Sequence, residues 1–266
     1  MDGSVGVNNK RMFGWARLRL LNVLMAVLHT GQGIAILLLS NEATVPIRTS
    51  FLRFNEERQI LETATRDIAD LQLAPLVASF LFISAAAHAF VALPRVYGWY
   101  RTNLDRGINY VRWWEYALSA SVMIAVIALL PGMYDLGSVI LIFSLNATML
   151  LFGLLMEIQN RPGGRVNWTP FWFGCFAGAV PWVVIALYLW SPGTGPGNPP
   201  DFVYAIFFSL FVWYSLFALN MWLQYRRVGP WREYMFGEYG YIVLSLTAKS
   251  LLAWQVFAGA LTVPIN

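Results

Sequence analysis

The chain is short of charge, of lysine, of histidine and of cysteine. Of its 266 residues only 12% are Asp, Glu, Lys or Arg, about half the share in a soluble globular domain. A single cysteine, Cys175, excludes an intrachain disulfide and any cysteine-rich metal site; no metal is expected. It lies in an apolar run and reads as a small packing residue. The net charge of +4 is not laid out as a basic stripe on one polar face, so nucleic-acid binding is excluded as a class. What is abundant points elsewhere. Apolar residues make up 58% of the chain, mean hydropathy is +0.55, and 12 tryptophans supply ring anchors for two lipid–water interfaces.

Runs of about 20 apolar residues read as transmembrane helices, because lipid forces each backbone group to find its partner within the segment. They fall at roughly 18–40, 72–94, 106–130, 137–158, 168–190, 202–225 and 238–262. The expected fold is therefore an all-α seven-helix bundle forming one domain. The breaks carry turn chemistry: Pro94, Pro131-Gly132, Arg161 to Gly164, and the Pro/Gly-rich stretch from Ser191 to Pro200. The first run, Leu20 to Leu39, is too long for a signal-peptide core and reads as the first span.

An odd number of spans puts the two termini on opposite sides. Thirteen basic residues, including Arg17, Arg19, Arg95, Arg101, Arg112 and Arg226, group on one side. The other side has Arg48, Arg53, Arg58 and Arg66, all in one loop with six acids. The positive-inside rule predicts a multi-pass cell-membrane protein with a cytoplasmic N-terminus and an extracellular C-terminus. The loop from about 41 to 71 is the only long one. Thr44 to Phe54 alternates as a small hairpin would, and Glu56 to Leu73 reads as an amphipathic helical stretch.

Two charges stand inside the apolar runs. Lys249 is near the middle of the last span, where insertion costs about 2.5–3.5 kcal/mol. Such a lysine is either half of a structural ion pair or a nucleophilic amine able to form a Schiff base with an aldehyde. Glu115, in the first half of the third span, is its natural partner. Opposite charges about 4 Å apart gain about 4 kcal/mol at an effective dielectric near 20, which offsets the insertion penalty. Glu115 alone fits a counterion or a structural carboxylate. Ser245 is four residues before Lys249, Ser119 four after Glu115, and Ser84 four before His88, so each shares a helix face with its neighbour.

Seven spans with a lysine in the seventh resemble a microbial rhodopsin. The inverted topology, the long first outer loop, Arg112-Trp-Trp-Glu-Tyr116 and Ala248-Lys-Ser-Leu-Leu-Ala-Trp-Gln255 are similar to the heliorhodopsins in particular, over essentially the whole chain. The resemblance implies a non-enzymatic light sensor with all-trans retinal on Lys249 in the dark and Glu115 as sole carboxylate counterion. It also implies a proton-accepting network of His29, His88, Ser84 and Glu157 on the cytoplasmic side, and a homodimer. Tyr116, Met123, Tyr214 and Trp254 are the expected pocket residues, beside Ser119 and Ser245.

Past Ser121 the third span carries no carboxylate, and no titratable group is legible in the outer half of the bundle. A proton lost from the centre is expected to return by the route it left, without net transport. A light-driven pump or channel on the same scaffold is the alternative. A transporter that uses the Lys–Glu pair to bind substrate is the reading from another class. The arginine-bearing segment Tyr225 to Glu238 is the expected docking surface for a cytoplasmic signalling partner.

Overall fold

The computed structural model describes residues 14–160, 164–191 and 198–262. Lys10, Arg11, Arg161 and most of the 191–200 break lie outside the described residues. The helices are α1 (Trp15–Leu39), α2 (Leu73–Ala92), α3 (Pro94–Asp105), α4 (Tyr110–Leu129), α5 (Leu136–Gln159), α6 (Thr169–Trp190), α7 (Asp201–Arg226) and α8 (Tyr234–Val256). All except α3 are long and apolar enough to cross a membrane, and α8 continues as a π-helical turn, Phe257–Leu261. Chain-adjacent spans pack side by side from α1 to α8, and α8 returns against α1 and α2.

Burial follows from that arrangement. In α4, 14 of 20 residues are buried, which makes it the central helix and the natural carrier of a site. In α1 the large apolar residues Leu20, Val23, Leu24 and Val27 stay exposed, as a lipid-facing helix surface requires.

Two sequence expectations change. The third span begins at Tyr110, not at 106. Pro94 starts the separate helix α3, which ends at Asp105; Gly107 then takes a positive φ of 76° and Asn109 caps α4 by accepting from the Arg112 N–H at 3.0 Å. The second change concerns Glu56 to Leu73, expected to be helical. Ile60–Gln72 instead forms strand β2, antiparallel to β1 (Thr44–Asn55), with Asn55 opposite Ile60 and Thr44 opposite Gln72. The acids that gave this stretch its amphipathic look face arginines across the ladder. Arg53 bonds Glu62 and Arg48 bonds Asp67, both at 2.8 Å, and a register shift beside Ile47 accommodates the odd spacing.

The hairpin base is tied to the bundle. Val45 and Ile47 are buried against Leu129, and the Arg48 N–H donates to the Tyr134 carbonyl at 2.9 Å. The bundle thus has a hairpin end and an opposite, arginine-rich end, where α1, α4, α6 and α8 begin.

Candidate functional site

Three helices converge on Lys249. Its Nζ on α8 lies 3.1 Å from Glu115 Oε1 on α4 and donates to Ser245 Oγ at 2.7 Å. Ser84 on α2 donates to the same Glu115 oxygen at 2.6 Å. The Tyr116 ring lies beneath the ammonium, 4.9 Å from Nζ, and its hydroxyl donates to the Tyr241 carbonyl. Both charged side chains are buried. A lone charge at such depth would be expelled; an ion pair with further hydrogen bonds is retained. Ser119 is buried with its hydroxyl unpartnered among the described residues.

The histidines form a second group toward the arginine-rich end. Asn22 Nδ2 donates to the Leu18 carbonyl at 2.9 Å, which turns its Oδ1 toward His88 Nδ1, 2.7 Å away. His88 therefore donates through Nδ1 and keeps Nε2 as its acceptor nitrogen. The His29 ring stacks on that of His88, 5.7 Å between centres, and neither His29 nitrogen has a protein partner among the described residues. Buried nitrogens of that kind call for ordered water.

Glu157 is not beside the histidines. It belongs to a third group with Arg112 and Glu238. Arg112 forks between the two carboxylates through its two terminal nitrogens. Glu157 also accepts from the Asn109 N–H at 2.9 Å, from Trp113 Nε1 at 2.6 Å and from the Tyr234 hydroxyl at 3.2 Å. Glu238 has Asn109 Nδ2 at 2.7 Å. The Arg112 guanidinium also lies 4.0 Å from the Tyr241 ring centre. A cavity of about 30 Å³, lined by His88, Glu115, Arg112 and Glu238 among others, lies between the three groups. That volume is enough for one water molecule.

In the sequence Arg112 reads as one of the loop charges and Glu238 as part of a docking segment, and neither Asn109 nor Tyr234 stands out as a site residue. The signal was present for two of them. Arg112 is three residues before Glu115, and Glu238 is eleven before Lys249, close to three helical turns, so each shares a face with a residue already singled out. In the expected docking segment Arg226, Arg227, Val228, Gly229, Pro230 and Arg232 are exposed, while Glu238 points inward.

On the other side of Lys249 the lining is apolar. A pocket of about 40 Å³ holds Lys249, Tyr116, Met123, Tyr214 and Ser245. It shares Met149, Leu150, Tyr214 and Phe217 with a cavity of about 320 Å³ between α5, α6 and α7. Trp182, not singled out from the sequence, walls this cavity and packs edge-on against Tyr214 at 5.4 Å. Cys175 lines it too. Trp254, an expected pocket residue, is elsewhere: it is 39% exposed on the outside of α8 and its Nε1 donates to Gln32 on α1 at 3.1 Å. Its five-residue offset from Lys249 turns it to a different face of the helix. Toward the hairpin end, buried polar contacts are neutral, as in Asn146 Nδ2 to Ser121 Oγ at 3.1 Å. Among the described residues, the buried charged side chains are Arg112, Glu115, Glu157, Glu238 and Lys249, so none lies on the hairpin side of the lysine.

A buried amine in a small apolar pocket that shares its lining with a larger apolar cavity fits an apolar aldehyde. The joint volume is within the range of small-molecule sites, about 300–1,000 Å³. Comparison with known proteins agrees in fold. Six chains of solved structures match, among them the transmembrane domain and linker region of the Salpingoeca rosetta rhodopsin phosphodiesterase, with a TM-score of 0.62 and 15% identity. That alignment covers 97% of this chain and 83% of the other, and at such identity it shows the fold alone. No curated protein sequence matches the chain. The heliorhodopsin family profile matches residues 18–261, nearly the whole length. The chain belongs to the heliorhodopsins, a family of retinal-binding rhodopsins.

Proposed function

We propose that the protein is a light sensor in which Lys249 holds retinal as a Schiff base and Glu115 is the counterion. The observation that carries this is the buried Lys249 Nζ, 3.1 Å from Glu115 Oε1, at the mouth of an apolar cavity in a heliorhodopsin. Retinal, when bound, supplies light absorption and a light-driven change of shape; it is all-trans in the dark. Glu115 holds the positive charge at Lys249 Nζ, and Ser84 and Ser245 fix the geometry of the pair. Tyr116, Met123 and Tyr214 wall the chain of the chromophore, and Ser119 stands one turn from the counterion.

A proton released at Lys249 Nζ has Glu115 as its nearest base, followed by the small cavity and His88 Nε2, with His29 behind it. Glu157 belongs to the same side through Arg112. Among the described residues no buried charged side chain lies on the hairpin side of Lys249, so the proton returns as it came and there is no net ion transport. The charge distribution supports an N-terminus in the cytoplasm. The exposed arginines of 226–232 then face the cytoplasm as a docking surface for a signalling partner, and the protein acts as a homodimer.

Reconstitution with all-trans retinal tests the reading. A visible band is expected in the wild type and none in Lys249→Ala; a colourless wild type, or an unchanged band in the variant, overturns it. A large uncoupler-sensitive pH change in illuminated cells overturns the absence of transport.

A further inference from the structure

Two arginines near the arginine-rich end of the bundle share one groove that the site does not use. Trp15, Arg19, Leu20 and Val23 of α1 face Tyr97 and Arg101 of α3 across an open cavity of about 660 Å³. The Arg101 guanidinium lies 4.8 Å from the centre of the Trp15 ring, and that of Arg19 lies 5.5 Å from Tyr97. Arg19 Nε donates to the Ala92 carbonyl at 2.9 Å, which anchors its head at the end of α2. Neither guanidinium belongs to an ion pair among the described residues; Asp105, one turn beyond Arg101, makes none with it.

Stacking on a ring occupies the face of a guanidinium and leaves its N–H edge free to bind an anion. Both guanidinium groups line this one groove, whose described lining residues include no carboxylate, and Arg19 commits its Nε–H to Ala92. The other wall of the groove is apolar and continues down the helix. Leu20, Val23, Leu24 and Val27 stand at i, i+3, i+4 and i+7 of α1 and are 58%, 43%, 48% and 65% exposed. A cationic cleft at the end of a span, opening onto a lipid-facing apolar stripe, matches a molecule with an anionic head and an acyl tail.

We propose that this groove is a binding site for an anionic bilayer phospholipid, its phosphate between Arg19 and Arg101 and an acyl chain along Leu20 to Val27. A free phosphate would satisfy the arginines and leave the stripe unused. A zwitterionic head brings a cation that nothing in the groove neutralises. Basic groups beside a bilayer surface attract anionic lipid with about a fivefold gain in affinity each.

Native mass spectrometry of the full-length protein released from nanodiscs of equal phosphatidylglycerol and phosphatidylcholine tests this. The wild type should retain one phosphatidylglycerol, and Arg19→Gln with Arg101→Gln should weaken retention by about fivefold per arginine. Arg95→Gln with Arg106→Gln removes the same charge from exposed positions outside the groove and should retain the lipid. Equal losses in the two double variants, or no retained lipid in the wild type, overturn the site. Displacement of the lipid by an equal concentration of inorganic phosphate overturns its assignment to a lipid. Thermal unfolding of each variant checks the fold. If the double variant fails to fold, Arg101→Gln alone carries the test, because among the described residues the Arg101 side chain stacks on Trp15 and makes no ion pair.

Discussion

Replacing Arg112 by Gln separates the arginine-rich cluster into its parts. The guanidinium is buried and sits between Glu157 and Glu238, both 1% exposed. Removing one partner of a buried pair typically costs about 3–5 kcal/mol, because the charge left behind is neither solvated nor paired. That is roughly a hundred- to several-thousandfold in the unfolding constant. The two glutamates do not share the loss equally. Glu157 keeps the Asn109 N–H and Trp113 Nε1, Glu238 keeps Asn109 Nδ2, and the Tyr234 hydroxyl is shared between them, so Glu238 has the fewer partners. Glu238 is therefore the group left exposed to the penalty. Arg112→Gln with Glu238→Gln should recover most of the stability, and Arg112→Gln with Glu157→Gln should recover less. Unfolding by SDS in mixed micelles, followed by tryptophan fluorescence on the retinal-free protein, measures all three. A loss under about 1 kcal/mol in Arg112→Gln would refute the reasoning. So would equal rescue by the two glutamate substitutions.

In the retinal-loaded protein, Glu115→Gln should move the visible band to longer wavelength, since a carboxylate 3.1 Å from Nζ stabilises the positive ground state; an unmoved band would place the counterion elsewhere. Gly153→Ala should destabilise by about 1–3 kcal/mol, because a Cβ there would come within 2.2 Å of the Trp113 ring and push Nε1 off Glu157; a neutral substitution in the same unfolding assay would contradict that packing. Outside the spans, hydrogen bonds from Arg53 and Asn55 hold the Glu62 carboxyl below its usual range, and those from Ser138 do the same for Asp135. Both groups have folded values below their unfolded ones, so their stabilisation is complete above the unfolded carboxylate range and is lost as pH falls through the folded values. Hydrogen exchange in 44–72 and the first turn of α5, corrected for intrinsic rates, should stay level from about pH 7 to 5 and rise below about pH 4. A change confined to the neutral range would rule this out.

The seven spans could be read from the chain because lipid permits few solutions: a run of about 20 apolar residues has to be a helix. Lys249 and Glu115 were legible for the same reason, since a charge inside such a run is costly enough to stand out. Their spacing to Ser245 and Ser119 follows from helical geometry alone. The limits were set where a local pattern has more than one partner available. The acids of 56–72 fit one face of a helix until β1 is brought alongside, when Glu62 and Asp67 meet Arg53 and Arg48. Arg112 and Glu238 lie near span ends, where a charge is usually solvated, and only the docking of α4, α5 and α8 encloses them with Glu157. Trp254 follows Lys249 in sequence by less than two turns, yet the packing of α8 on α1 turns it outward to Gln32. Composition and helical period determined which segments enter the membrane and which charges must be paired there. The tertiary structure decided the partners, because the face a helix buries depends on its neighbours and not on its own sequence.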